Sequence, residues 1–324
     1  MRRMLVIACC GFGVGLVAPP SAAAAGGPVS PLQGGAGVSL PGRDVNYVAL
    51  AAARATVVAR VRRAGGIVER SRLLPGSFGI PGAAYDGSGT GLSADGRMLV
   101  LAGAISRYPV ARTRLLVLDA RRLRARARIV LPGAFAVDAI SPTGRWLYLI
   151  HSTSSRDTTR YDVRAYDVPG HHLVAAPVVD PRERDEAMRG LPMTRAVSAD
   201  GRWAYTLYDR PGSAPFVHAL DTQQRTAVCI DLPALAGADL SELRLRLGRA
   251  GATLRIERHG EPLALIDTRT FAVKRPASAQ PRPPAGSTGD GGALPWALTV
   301  VPLAILAGLA LVARRRRHIT SSAA

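Results

Sequence analysis

The chain has 324 residues and a formal charge of +19, enough length for one large domain or two smaller ones. Its basic residues are all arginine except Lys274, and Asn46 is the only asparagine, a bias that reflects GC-rich coding and does not by itself indicate a nucleic-acid partner. Of the three cysteines, Cys9 and Cys10 lie in a segment expected to be removed, which leaves Cys229 alone and excludes an internal disulfide.

Residues 1–25 follow the plan of a secretory signal peptide. Arg2 and Arg3 precede an apolar run over 4–18, Pro19 and Pro20 break it, and Ala22 to Ala25 offer a small-residue cleavage site. The run is too short to span a bilayer comfortably. "VIAC" (6–9) is similar to a lipoprotein box, but the apolar stretch continues past Cys9, so lipidation is not expected. Residues 26–43 read as a linker and 44–273 as the folded part. Within it, "ALAAARATVVARVRRAG" (49–65) stays open between strand and helix, since alanine and arginine favour the latter. "VERSRLLPG" (68–76) reads as the last strand of an early, incomplete unit.

From there the sequence repeats itself. "SADGRMLVLA" (93–102), "SPTGRWLYLI" (141–150) and "SADGRWAYTLYD" (198–209) share a phrase, and Gly96, Gly144, Gly201 and Gly251 each open an apolar run. A second strand-like run follows and ends at Asp119, Asp167, Asp221 or Asp267; a third follows that, as in "ARIVLPG" (127–133) and "AVCIDLP" (227–233). A period near fifty residues, built of short strands and turns, indicates a propeller-type array. Asp-Gly suits a tight turn because glycine accepts positive φ. The runs after it show little strict alternation and so read as strands buried on both faces. The closing aspartates can turn the chain by bonding their own backbone. No unit buries its face alone, and stacking solves that.

These residues resemble the YVTN and WD-repeat-like propellers of bacterial envelopes, whose units carry a V-S-x-D-G-x-x-x-Y-V core. The match is "VSADGRWAY" (197–205), with "AISPTGRWLY" (139–148) and "GLSADGRML" (91–99) beside it; the unit at 243–273 lacks the Ser-x-Asp part. The resemblance implies an all-β propeller and says little of function. Counting strands gives about twenty, hence five four-stranded blades, with a five-bladed ring favoured over an open or six-bladed arrangement.

Chemical signatures are sparse. His171 and His172 fall at a predicted turn, and His151, His218 and His259 have no partner at metal-ligand spacing. "DGSGTG" (86–91) precedes a strand, not the helix that a phosphate cradle needs. "DPRERDE" (180–186) reads as a solvated loop, and no G-x-S-x-G elbow is present. No cofactor is expected. Two constellations remain. Arg124, Arg126 and Arg128 fall at period two on a predicted outer strand, as edge protection or as a stripe that grips an anionic polymer. Three residues before each turn serine stand Thr90, Asp138 and Arg195, expected in register on innermost strands beside a central channel, as a structural pair or as ligand-lining groups.

Residues 274–292 are Pro/Gly/Ser-rich and read as a stalk. Residues 293–313 are uncharged, long enough to cross a bilayer, and followed by Arg314 to Arg317 at the head of the tail 314–324. That pattern predicts a single-pass anchor with the tail cytoplasmic and the folded part outside. A sortase tail is similar in shape, but its Leu-Pro-x-Thr-Gly signal is missing. The sequence therefore predicts an exported, membrane-anchored propeller that binds or scaffolds at the envelope. Its expected partners are anionic polymers, lipid headgroups or an envelope protein, not nucleic acid. The rival expectation is a hydrolase using channel-mouth carboxylates such as Asp138.

Overall fold

Among the described residues most short β-branched and aliphatic runs bounded by Gly, Pro and Asp become strands. In a computed structural model that describes residues 29–34, 37–105, 107–184 and 187–276, twenty strands form five four-stranded antiparallel sheets. The first blade comprises β1 (Val38–Ser39), β2 (Val45–Ala52), β3 (Ala55–Arg62) and β4 (Ile67–Pro75). The second comprises β5 (Phe78–Gly79), β6 (Met98–Gly103), β7 (Arg112–Asp119) and β8 (Arg124–Pro132). The third holds β9 (Phe135–Ile140), β10 (Trp146–Ser152), β11 (Tyr161–Asp167) and β12 (His172–Leu173), and the fourth β13 (Leu191–Val197), β14 (Trp203–Asp209), β15 (Phe216–Asp221) and β16 (Thr226–Asp231). The fifth holds β17 (Leu243–Leu247), β18 (Thr253–Arg258), β19 (Glu261–Asp267) and β20 (Val273–Lys274). The predicted signal peptide (1–25) and the stretch from 277 onward, which includes most of the predicted stalk and all of the membrane segment and tail, lie outside the described residues. Among the described residues no helix is long and apolar enough to cross a membrane.

Residues 49–65, left open between helix and strand, are the β2–β3 hairpin and its continuation. Burial of Ala49, Val58 and Ala59 outweighs the modest helix preference of alanine and arginine.

The repeated phrase is a turn staple. The Ser93, Ser141 and Ser198 hydroxyls accept the backbone N–H of Met98, Trp146 and Trp203 at 2.9, 2.9 and 2.8 Å. The N–H groups of Gly96, Gly144 and Gly201 donate to the carbonyls of the same serines at 2.8 Å. These glycines hold φ of +67°, +79° and +72°, where a side chain is strained. At the far end of each hairpin the aspartate does the turning. Asp119 accepts the N–H of Arg122 at 2.8 Å, Asp221 those of Gln223 and Gln224, and Asp267 those of Arg269 and Thr270. The first blade is complete rather than partial, and it has its own version of the phrase. "SLPGR" (39–43) precedes β2, with Gly42 at φ +70°.

Apolar side chains join each blade to the next. Tyr47, Val58 and Leu74 meet Leu99 and Leu116; Val100 and Val117 meet Phe135 and Leu149; Tyr148 and Val163 meet Tyr208 and Phe216; Leu207 and Val217 meet Leu254 and Ile256. Among the described residues no such cluster joins the fifth blade to the first, so packing does not seal the ring favoured from the strand count. The inner strands are bridged instead of enclosing an open channel. Residues 80–84 are buried. On one side Leu32 pairs with Ile80, and on the other the N–H groups of Tyr85 and Asp86 donate to the carbonyls of Pro192 and Met193 at 2.8 and 3.1 Å.

Candidate functional site

Asp138 lies on β9 and Arg195 on β13, the innermost strands of adjacent blades, while Thr90 precedes β6 in the second blade. The structure brings all three together. The Arg195 Nη1 donates to Asp138 Oδ1 at 2.5 Å and to Thr206 Oγ1 at 3.2 Å, and Thr90 Oγ1 donates to the Asp138 carbonyl at 3.1 Å. The two charged side chains are only 3% and 4% exposed. At that depth an ion pair holds its geometry, because separating it strands a charge away from water. Among the described residues the Arg195 Nε and Nη2 have no hydrogen-bond partner.

The pair heads a polar row across the fourth blade, Arg195–Thr206–His218–Cys229, each directly opposite the next. Burial lowers the pKa of His218 and outweighs the opposing pull of Asp138, so the imidazole is held neutral. Tyr161 and Tyr208 stack at 5.2 Å between the third and fourth blades. Burial raises both phenol pKa values well above their usual range.

Two cavities adjoin this node. The inner one has about 30 Å³ and is bounded by Asp138, Tyr161, Tyr208, Pro192 and Ala83, room for about one water. The outer one has about 550 Å³ and shares Val29, Gly82, Ala136 and Val137 with it. Phe135, Pro31 and Pro81 form apolar wall; Arg107, Arg112 and Arg114 supply the charge, and among the described residues no Asp or Glu lines it. The loop from 104 to 111 carries Arg107 and is held across the blades by the Tyr108 hydroxyl, which donates to the Ser154 carbonyl at 2.7 Å. Arg112 and Arg114 stand at period two on the exposed side of β7, but no spacing ties Arg107 to them, and the expectations drawn from the sequence did not include them.

No family model matches the sequence, and no curated protein does. Among solved structures the chain is similar to hydrazine synthase from Kuenenia stuttgartiensis, at 15% identity over 82% of this chain and 69% of that one, with a TM-score of 0.44. It is also similar to TolB from Acinetobacter baumannii (15% identity, 71% of this chain, 56% of that one, TM-score 0.35). A third is the Swd1 β-propeller domain from Myceliophteria thermophila (12% identity, 72% and 62%, TM-score 0.40). The chain thus spans between 56% and 69% of these proteins' lengths. Its own geometry decides the class: five sequential four-stranded meanders, each packed face to face on the next. The fold is that of a β-propeller.

In this propeller the predicted arginine stripe does not form on one face. A bulge between Val117 and Leu118 places Arg124 opposite Asp119 and Arg128 opposite Leu116, and those two positions lie on opposite sides of β7. Arg126 is the extra residue, and its Nη2 pairs with Asp119 Oδ2 at 2.6 Å. One inserted residue is enough, because side chains alternate with period two. Nor is "DPRERDE" a wholly solvated loop. The Asp180 side chain is 1% exposed; Arg182 chelates it through Nε and Nη2, and it accepts the Cys229 N–H at 2.8 Å. Asp180, Glu183 and Cys229 come within 4.8 Å of one another, but the Asp180 oxygens are already taken, and the trio is an ion-paired corner. Of the histidines, His151 stacks on Phe135 at 4.3 Å, and His171 and His172 sit exposed at the predicted turn.

Proposed function

We propose that the protein is an exported, membrane-anchored propeller that binds an anionic component of the cell envelope in the cavity between its second and third blades. One observation carries the reading: about 550 Å³ of partly apolar space bounded by Arg107, Arg112 and Arg114, with no carboxylate among the described residues to neutralise them. Such a site attracts polyanions through guanidinium forks that match carboxylate and phosphate. The signal-peptide pattern of residues 1–25 and the uncharged stretch 293–313 with its following arginines support export and tethering with the propeller outside. The hydrolase reading has less behind it. A carboxylate pair of the glycosidase kind needs two groups within about 5–10 Å. Among the described residues Asp138 is the one acid lining either cavity, and Arg195 holds it.

The test is binding of a fluorescent polyphosphate to the detergent-solubilised full chain. Affinity should weaken as salt rises, and the combined change Arg107→Ala, Arg112→Ala and Arg114→Ala should lower it by about tenfold or more. Binding that ignores both salt and the triple change refutes the cavity as the site.

A further inference from the structure

Propeller blades normally bury both faces, so the uncovered outer face of the first blade asks for an occupant. Tyr47, Ala49, Val58 and Leu74 point toward the second blade; their neighbours in the alternation therefore point away from it. On that outward side Leu50, Val57 and Leu73 form one cross-strand row, and Val61 and Val68 belong to another. Leu50, Val68 and Leu73 are 43%, 58% and 64% exposed. No charged residue falls on these rows or on the row between them. Residues 38–75 hold seven arginines against Asp44 and Glu69, a net +5; four of them, Arg60, Arg62, Arg70 and Arg72, stand on rows with Val45, Tyr47 and Val58 and so on the side turned toward the second blade. Arg54 and Arg63 stand exposed just beyond opposite ends of the β2–β3 pair.

We infer that this face docks on an anionic lipid surface, aliphatic side chains entering the interface and the arginines at its two ends, Arg54 and Arg63, meeting phosphates. A bilayer supplies an apolar layer and fixed negative charge together, and the face offers the complement of each. A second copy is the poorer fit, because face-to-face pairing brings two blades of net +5 together. The fifth blade is poorer still, since Arg246 stands directly opposite Arg255 on its outer side and an apolar cover would strip both of water. The inference rests on the proposed tether for its reach. Seventeen residues separate Pro276 from Leu294, about 60 Å when extended, enough for a blade to return to the membrane that holds it.

The experiment reconstitutes full-length Leu73→Trp into vesicles of phosphatidylcholine alone, or of equal parts phosphatidylcholine and phosphatidylglycerol, with unsubstituted chain as the tryptophan background. The added emission should shift to the blue and be quenched by brominated acyl chains in the anionic vesicles only, and adding Leu50→Glu should cut the quenched fraction by about tenfold. Emission indifferent to vesicle charge, or quenching that survives Leu50→Glu, overturns the inference. So does a concentration-dependent blue shift in lipid-free detergent, the signature of a second copy on the face. Alkaline extraction of the same vesicles tests the tether separately. A chain that washes off, yet shifts when added to preformed anionic vesicles, refutes the anchor and leaves the docking face standing. A chain that resists extraction with unshifted emission does the reverse.

Discussion

The two end blades of the propeller both leave their outer faces uncovered, and they solve the problem differently. The fifth blade presents Arg246 opposite Arg255, with Arg255 Nε held by Glu257 Oε1 at 2.9 Å, a surface that water solvates well. The first presents Leu50, Val57 and Leu73 with no charge among them. A terminal repeat needs a polar outer side to stand alone. By that measure the last blade is finished and the first is waiting for a surface. The lesson is that arginine in this chain has no fixed role: on the fifth blade it keeps a face wet, and as Arg195 it is sealed between blades.

That contrast can be broken most forcefully at its arginines. Arg195→Met leaves the Asp138 carboxylate buried and unpaired, and should cost about 3–5 kcal/mol in urea unfolding. Arg255→Met, with its side chain 47% exposed, should stay within about 0.5 kcal/mol. Changing Asp138→Leu together with Arg195→Met should recover most of the loss. Equal costs at the two arginines would erase the distinction between sealed and solvated.

Acid sharpens the same contrast. The interior carries His218 and His151, both lowered, chiefly by burial. A histidine held neutral in the fold takes up its proton more readily once unfolded. Stability should therefore be level above about pH 6.5 and fall as pH drops below it toward the native pKa values. A second decline follows below the ordinary carboxylate range, where Asp119, Asp200 and Asp267, all lowered by hydrogen bonds, are protonated. Calorimetry from about pH 8 to pH 5 should show the first decline, and His151→Gln with His218→Gln should flatten it; an unchanged melting temperature across that range counts against it.

The smallest effect compares the turn staples. Ser198→Ala removes the acceptor for the Trp203 N–H and should cost about 1 kcal/mol. Ser39→Ala, at the end of β1 just before the proline-bearing turn, should cost no more than about 0.5 kcal/mol. Urea midpoints would separate the two.

Much of the architecture was legible because turn chemistry is local. Glycine at positive φ and a serine that caps the following strand leave the same residues in the second, third and fourth units, and three residues before Ser93, Ser141 and Ser198 stand Thr90, Asp138 and Arg195. What escaped was set by single-residue shifts or by distant partners. The bulge at Arg126 reverses a strand face without altering its composition. "SLPGR" hides a repeat behind a proline where the second to fourth units have Asp or Thr. Residues 49–65 choose strand only because the second blade is there to cover them. Arg107, Arg112 and Arg114 meet through a loop and a strand that no periodicity links, and Asp180 is buried by a partner only two residues along and by a strand almost fifty residues away.

A wheel whose rim is not riveted shut has no hoop to share a load. Each end segment is gripped from one side, the first by Leu99 and Leu116, the last by Leu207 and Val217. Opening should begin there and run inward, with amides of β18 and β3 exchanging before those of β10 and β14. A membrane pressed against one end would then act as a brake on unravelling from that side, leaving the other as the place where the protein first comes undone.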